Sequence, residues 1–379
     1  MDTPSTANGP WSLVKTIKQS GPVDPTSPYD TSALAGKTIL ITGGASGFGK
    51  AFALKWASHG ANIIIGDLND AAGEAMVAEL RCLPGSSKHH HYQHCDVTKW
   101  EDQVALFRMG VEASPTGGID AVVAGAGIVE SRDVVNGPTI DMPVLVDEHG
   151  NPPRPGLKVL DVNLTGVMYT THLAIFWLQR NNNNTGKDHQ TKKTTRDRHL
   201  LLISSIAGVT PLPGQVEYTA SKHAVMGLFR TLRGSVWRQG IRCNVINPYF
   251  VETPLINWRG MALLAGGGKV ELSDVVDAAT RLMADETIVG RGLVIGPRFK
   301  VVDDEDGNPR FVEQGGGREQ AVWELYGHDY EQVEVFVWRF VGMLNAVKKM
   351  RGWVGTVKDL FNMWRTRRAA RRAPKKARA

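Results

Sequence analysis

From Lys37 to Pro297, short runs of β-branched residues alternate with longer stretches in which apolar residues recur at helical spacing. A strand that leads through a helix to another strand returns to its sheet as a parallel neighbour, so the alternation restricts this region to an α/β fold. Strands are expected at 38–41, 62–66, 92–95, 121–123, 200–203, 242–246 and 293–295. Helices are expected at 47–58, 71–80, 100–112, 157–179, 218–238 and 274–284. Thr98, with Glu101 three residues on, carries a capping-box signature for the third helix. Seven short strands suit a doubly wound parallel sheet with helices on both faces.

Two stretches interrupt the rhythm. Residues 180–198 hold four consecutive asparagines followed by a polar, basic run, expected as a solvated insertion. Residues 130–156 form a second insertion, with a tight turn expected at Asp147-Glu-His-Gly-Asn-Pro-Pro. The chain therefore divides into a flexible N-terminal segment (1–34), an α/β domain (35–300) and a C-terminal extension (301–379).

Hydrophobic residues make up 42% and charged residues 22%, which excludes wholesale disorder. Cys82, Cys95 and Cys243 match no zinc or redox spacing and read as thiols of a reducing compartment. With no secretory signal pattern in 1–34 and no run of 18 apolar residues, cytoplasmic residence is the expectation.

The first strand runs directly into Thr42-Gly43-Gly44-Ala45-Ser46-Gly47-Phe48-Gly49, which opens a helix. Glycines here let the backbone turn tightly and approach a pyrophosphate, whose charge faces the free N–H groups of the helix start. The motif is weak alone, but a strand before it and a helix after it are the context it requires. Asp67 closes the second strand 18 residues past Gly49. A carboxylate there accepts hydrogen bonds from ribose hydroxyls and repels a 2′-phosphate, so NAD is expected in preference to NADP.

The Thr-Gly-x-x-x-Gly-x-Gly spacing resembles the short-chain dehydrogenase/reductase family, and the resemblance extends over residues 34–297. It is similar in cast to the hydroxyprostaglandin dehydrogenase-like branch. The resemblance implies a Rossmann-type fold and an NAD(P)-dependent oxidoreductase. It also implies that Gly43, Ser46, Gly47, Phe48, Gly49, Asp67, Asp96, Val97, Ala126, Val251 and Thr253 contact the dinucleotide. Ser46 is not basic, unlike the residue often found in NADP-preferring relatives. Two departures stand out: Pro248 precedes Tyr249 where relatives carry glycine, and Ala124 replaces a frequent asparagine.

Ser205 precedes Tyr218 by 13 residues, and Lys222 follows four later. Residues four apart on a helix share a face, so the phenol and the ammonium can enter one cleft. A free tyrosine ionises near pH ~10, and a neighbouring cation favours the phenolate, so Lys222 is expected to lower the Tyr218 pKa. By the resemblance, Tyr218 exchanges the substrate proton, Ser205 binds the same oxygen, and Lys222 tunes the tyrosine and holds the nicotinamide ribose. Asn163 matches the fourth member, which anchors a proton-relaying water.

Ile206, Val209, Leu212, Val216, Leu255 and Trp258 flank these segments and are expected to line an apolar substrate pocket. The expected reaction interconverts a secondary alcohol and a ketone on a small apolar substrate, and the protein is expected to be a homo-oligomer. The alternative is a catalytically silent dinucleotide-binding scaffold or membrane-surface protein. His89, His90, His91 and His94 with Cys95 lack a second ligand group, and no metal is expected.

Residues 338–379 carry 13 Lys and Arg against the single acid Asp359, leaving 31 basic and 37 acidic residues elsewhere, so a +12 tail rides on a −6 body. Phe336, Phe340, Leu344, Val347, Val354, Val357, Phe361 and Trp364 form an apolar stripe at helical spacing. A helix packed on the body or on a second subunit, a peripheral contact with an anionic membrane surface, and a nucleic-acid contact are the three readings, nucleic acid the least expected.

Overall fold

In the computed structural model, the expected alternation of strand and helix builds one sheet. The structure describes residues 17–130, 140, 146, 148–152, 154–181, 196–253, 269–304, 309–312, 316–325 and 353. The strands are β1 (Thr38–Thr42), β2 (Asn62–Asp67), β3 (His91–His94), β4 (Ala121–Ala124), β5 (His199–Ile203), β6 (Arg242–Pro248) and β7 (Gly292–Asp303). They pair in the order 3-2-1-4-5-6-7, and all of these pairings are parallel. The order reverses between β1 and β4, which opens a crevice at the carboxyl ends of those strands, where ligands of such sheets bind.

The period of two along each strand builds two cores. In β1, Ile39 and Ile41 point into one apolar layer and Leu40 into the other. The first layer takes Phe52 and Trp56 of α1 (Gly47–Ala57), Met76 of α2 (Asp70–Cys82), and Ala278 and Leu282 of α6 (Leu272–Ala284). The second takes Leu106 and Phe107 of α3 (Trp100–Ala113), Ala174 of α4 (Val167–Leu178), and Val225 and Phe229 of α5 (Val216–Arg233). Strands covered on both faces are apolar on both, which is why they read as unbroken β-branched runs.

Several expectations change. The sheet does not end at Lys300: β8 (Pro309–Phe311) and β9 (Arg318–Leu325) add to β7 antiparallel, giving nine strands. The outer half of β7 is exposed and charged, so it lacks the pattern of a buried strand. Nor is 17–34 a loose segment. Ile17 and Leu34 are buried, Tyr29 donates to Asp277 of α6 (2.7 Å), and Arg281 lies over the Tyr29 ring.

The base of the 180–198 insertion is likewise fixed rather than solvated. Arg196 pairs with Asp120 (2.7 Å), and Asp197 is held by Arg242 (2.7 Å) and Lys37 (2.8 Å). Residues 182–195, most of the 130–156 insertion, and the basic tail except Trp353 lie outside the described residues.

His90 is buried, with Nδ1 accepting from the Ile63 N–H (3.1 Å) and Nε2 paired with Ser86 Oγ (2.7 Å). Burial pushes its pKa down to about 4, and the ring serves as a staple between β2 and the entry to β3. His94 bonds Asp70 instead (2.7 Å).

Candidate active site

The turn after β1 packs so closely on its neighbours that two positions require glycine. Gly43 has φ +70°, and a Cβ there would sit 2.8 Å from the Ala126 Cα. A Cβ on Gly49 would land on the Gly43 carbonyl, so α1 can lie against the turn only with glycine at that position. Ser46 is the N-cap of α1 with no side-chain capping bond, and Gly47 and Phe48 begin its first turn, where free N–H groups suit a phosphate.

Asp67 reaches the same place from β2. One carboxylate oxygen accepts from the Ala45 N–H and the other from the Asn69 N–H, both at 3.0 Å. Thr42 Oγ1 takes bonds from the N–H groups of Gly125 (3.1 Å) and Ala126 (3.4 Å), which ties the end of β4 to the glycine turn despite Ala124.

Asp96 and Thr98 bond each other. The Asp96 carboxylate accepts from the Thr98 N–H (3.0 Å) and hydroxyl (2.7 Å), while the N-cap of α3 is Lys99, so the capping box does not form. Val97 packs against Gly166, and Gln103 bonds the carbonyls of both Val97 (2.6 Å) and Gly166 (2.9 Å). Val251 is buried in a bridge to Val270, and Thr253 lies two residues beyond it; the lining candidates Leu255 and Trp258 fall outside the described residues.

Ser205 leaves β5 with its Oγ accepting from the Ala207 N–H (3.2 Å) and donating to the Pro248 carbonyl (3.4 Å). Its neighbour Ser204 turns instead to the Lys222 carbonyl (3.0 Å). Tyr218 lies in the first turn of α5 with its phenol near the Ser205 hydroxyl, and Lys222 follows one turn later with its Nζ 5.5 Å from the Tyr218 ring centre. Ile206, Val209, Leu212 and Val216 surround this pair of hydroxyls in sequence and are each partly exposed, as a lining requires.

Asn163 sits in a π-helical segment (Asp161–Gly166) inserted in what reads as one helix. Such segments add a residue to a turn and often mark functional positions. Its side chain accepts from the Ile128 N–H and donates to the Ile128 carbonyl, both at 2.8 Å, and reaches Ser221 Oγ (3.3 Å). The side chain therefore secures the segment after β4, which leaves any water anchoring to its backbone.

The electrostatics differ from expectation. Burial lowers the Lys222 pKa to about 8, and its ammonium donates to the Ile203 carbonyl (3.1 Å). Burial raises the Tyr218 phenol above its ordinary value, opposed by the nearby Ser205 hydroxyl. Desolvation thus sets the direction of the shift. Sequence reasoning missed Glu130 and Gln103, whose side chains bond across long chain separations and carry no local motif.

The description "short chain dehydrogenase" matches residues 37–260 of the chain. A 5'-hydroxyaverantin dehydrogenase of Emericella nidulans is 36% identical over 294 residues, covering 73% of this chain and 91% of the relative. Its counterpart in Dothistroma septosporum is 35% identical over 292 residues, with the same coverage of 73% and 91%. Among solved structures, the 3-ketoacyl-(acyl-carrier-protein) reductase from Brucella melitensis complexed with NADH has TM-score 0.55 at 24% identity, covering 69% of this chain and 97% of that one. The glycine turn, the sheet order and these relatives agree: the chain belongs to the short-chain dehydrogenase family and is an NAD(P)-dependent oxidoreductase acting on CH–OH groups.

Proposed function

We propose that the protein interconverts a secondary alcohol and a ketone on a small apolar substrate, using NAD in preference to NADP. The convergence of the Ser205 and Tyr218 hydroxyls, with Lys222 one helical turn on, carries this reading. In the oxidative direction the Tyr218 oxygen takes the proton of the substrate hydroxyl, while Ser205 donates a hydrogen bond to the same oxygen. Lys222 supplies positive charge beside the phenolate and can reach a ribose hydroxyl. Bound nicotinamide supplies the hydride acceptor or donor. Partly exposed Ile206, Val209, Leu212 and Val216 favour an apolar substrate. The two dehydrogenase relatives support an alcohol as the reacting group.

The test is a screen of secondary alcohols and ketones with NAD and NADP, alongside titration of both reduced cofactors by fluorescence. Nucleotide binding without turnover of any substrate would favour the silent scaffold. Asp67→Ala is expected to weaken NAD binding about tenfold or more and to narrow the gap to NADP, since it removes bonds to a charged acceptor and the repulsion of a phosphate. A wild-type preference for NADPH would defeat the Asp67 argument.

Self-association is assigned to α4, whose outer face exposes Met168, His172 and Phe176, with Trp100 of α3 exposed nearby and edge-on to Tyr169. Light scattering should give a multiple of the 41.4 kDa chain mass, and a monomer would reject this assignment.

A further inference from the structure

The segment after β4 grips the site at three successive points. Gly125 and Ala126 donate to Thr42 beside the glycine turn, and Ile128 exchanges two bonds with Asn163. Glu130 then reaches the start of α5. Although acidic, Glu130 is buried, and its carboxylate accepts from the backbone N–H of Glu217 (3.1 Å) and of Tyr218 itself (3.3 Å). Its own carbonyl accepts from Gln215 Nε2 (3.3 Å).

A helix start leaves N–H groups without partners, and Gln215, the N-cap of α5, supplies no side-chain bond to them. A carboxylate 88 residues distant from Tyr218 in the chain does so instead, where the helix dipole also favours negative charge.

We propose that Glu130 is a positioning residue for the reaction: by clamping the backbone of Tyr218, it sets the phenol against Ser205 and fixes α5 to the same strap that holds Asn163 and the glycine turn. The inference rests on Tyr218 being the acid/base group. Helix capping alone would be satisfied by any local Ser, Thr or Asp at the N-cap. This chain instead places the acceptor on the strap, so the tyrosine moves only with the segment that borders the cofactor crevice.

Glu217 supports the assignment. It is fully buried, and neither of its carboxyl oxygens has a hydrogen-bond partner among the described residues. Burial, and then the nearby Glu130, raise its pKa against the opposing effect of the Val159 backbone, so the packing favours the neutral acid at this position.

The test compares Glu130→Gln and Glu130→Ala with the wild type. Glutamine keeps the volume and one acceptor oxygen, so it retains the fold if alanine does not. Amide hydrogen exchange should show Glu217 and Tyr218 protected in the wild type, both exchanging at least about tenfold faster in Glu130→Ala and at least one of them in Glu130→Gln, with amides later in α5 unchanged. Turnover at saturating substrate should fall about 10–100-fold, as small misplacements of reacting groups do, with NADH affinity altered less than about twofold. Unprotected amides in the wild type, turnover within about threefold of wild type in both variants, or equal losses of turnover and nucleotide affinity would each overturn the proposal. If the wild type turns over and Tyr218→Phe does not, retained turnover in the Glu130 variants sinks the clamp alone; if Tyr218→Phe also turns over, the reading of Tyr218 fails and takes the clamp with it.

Discussion

Replacing Tyr218 with phenylalanine is expected to lower turnover by about 10²–10⁴-fold, the usual contribution of a positioned acid/base, while leaving nucleotide affinity nearly unchanged. Phenylalanine keeps the ring that packs at the start of α5 and removes only the oxygen proposed to meet the substrate. The direction of the pH dependence follows from the burial of the phenol, which holds its pKa above the ordinary value. Alcohol oxidation needs the phenolate, so its rate should climb with pH through the alkaline range, and ketone reduction, which needs the protonated phenol, should not. Residual turnover within about tenfold of wild type, or an oxidation rate that falls as pH rises, would remove Tyr218 from this role.

How far the site can be read in the sequence depends on the distance over which each interaction acts. Gly43 to Gly49 and Tyr218 with Lys222 are local patterns, each within a few residues, and their placement follows from a turn or one helical period. Strands β1, β2 and β5 are legible because burial on both faces leaves unbroken apolar runs, whereas β3 reads His-Tyr-Gln-His and is only half-buried. Strands β8 and β9 follow a β7 whose outer half exposes Arg298, Phe299 and Lys300, so no such run announces them. Glu130 clamps α5 from across the fold, and nothing near position 130 in the chain signals a partner at 218. Thr98 shows the converse failure. A motif read correctly as letters lost to a competing local bond, because the Asp96 carboxylate takes the Thr98 N–H and hydroxyl in a tight turn before α3 begins. The rise in the Tyr218 pKa is not legible from spacing either, since it follows from burial, which the local sequence does not state.

Lys222 gives the second large effect, in two opposed properties. Lys222→Met should reduce turnover by about 10²-fold or more, because it removes the amine one turn from Tyr218 that is proposed to bond a ribose hydroxyl. The same substitution should relieve a stability penalty. Burial lowers the Lys222 pKa from 10.5 to about 8, which corresponds to roughly 3 kcal/mol of disfavoured charge. Its pKa is depressed in the folded state, so the unfolded chain binds the proton more tightly. The penalty is therefore full below about pH 8 and fades as pH rises from about 8 towards 10.5. Methionine also leaves the Ile203 carbonyl without its donor, a loss that does not vary with pH. Thermal unfolding of the two proteins without nucleotide separates these contributions. The melting temperature of the variant minus that of the wild type should be largest at pH 7 and shrink by on the order of 5 °C by pH 10. A difference that stays constant over that range would show that Lys222 is not a destabilising buried charge. A variant that keeps wild-type turnover would show that its charge does not serve the chemistry of Tyr218.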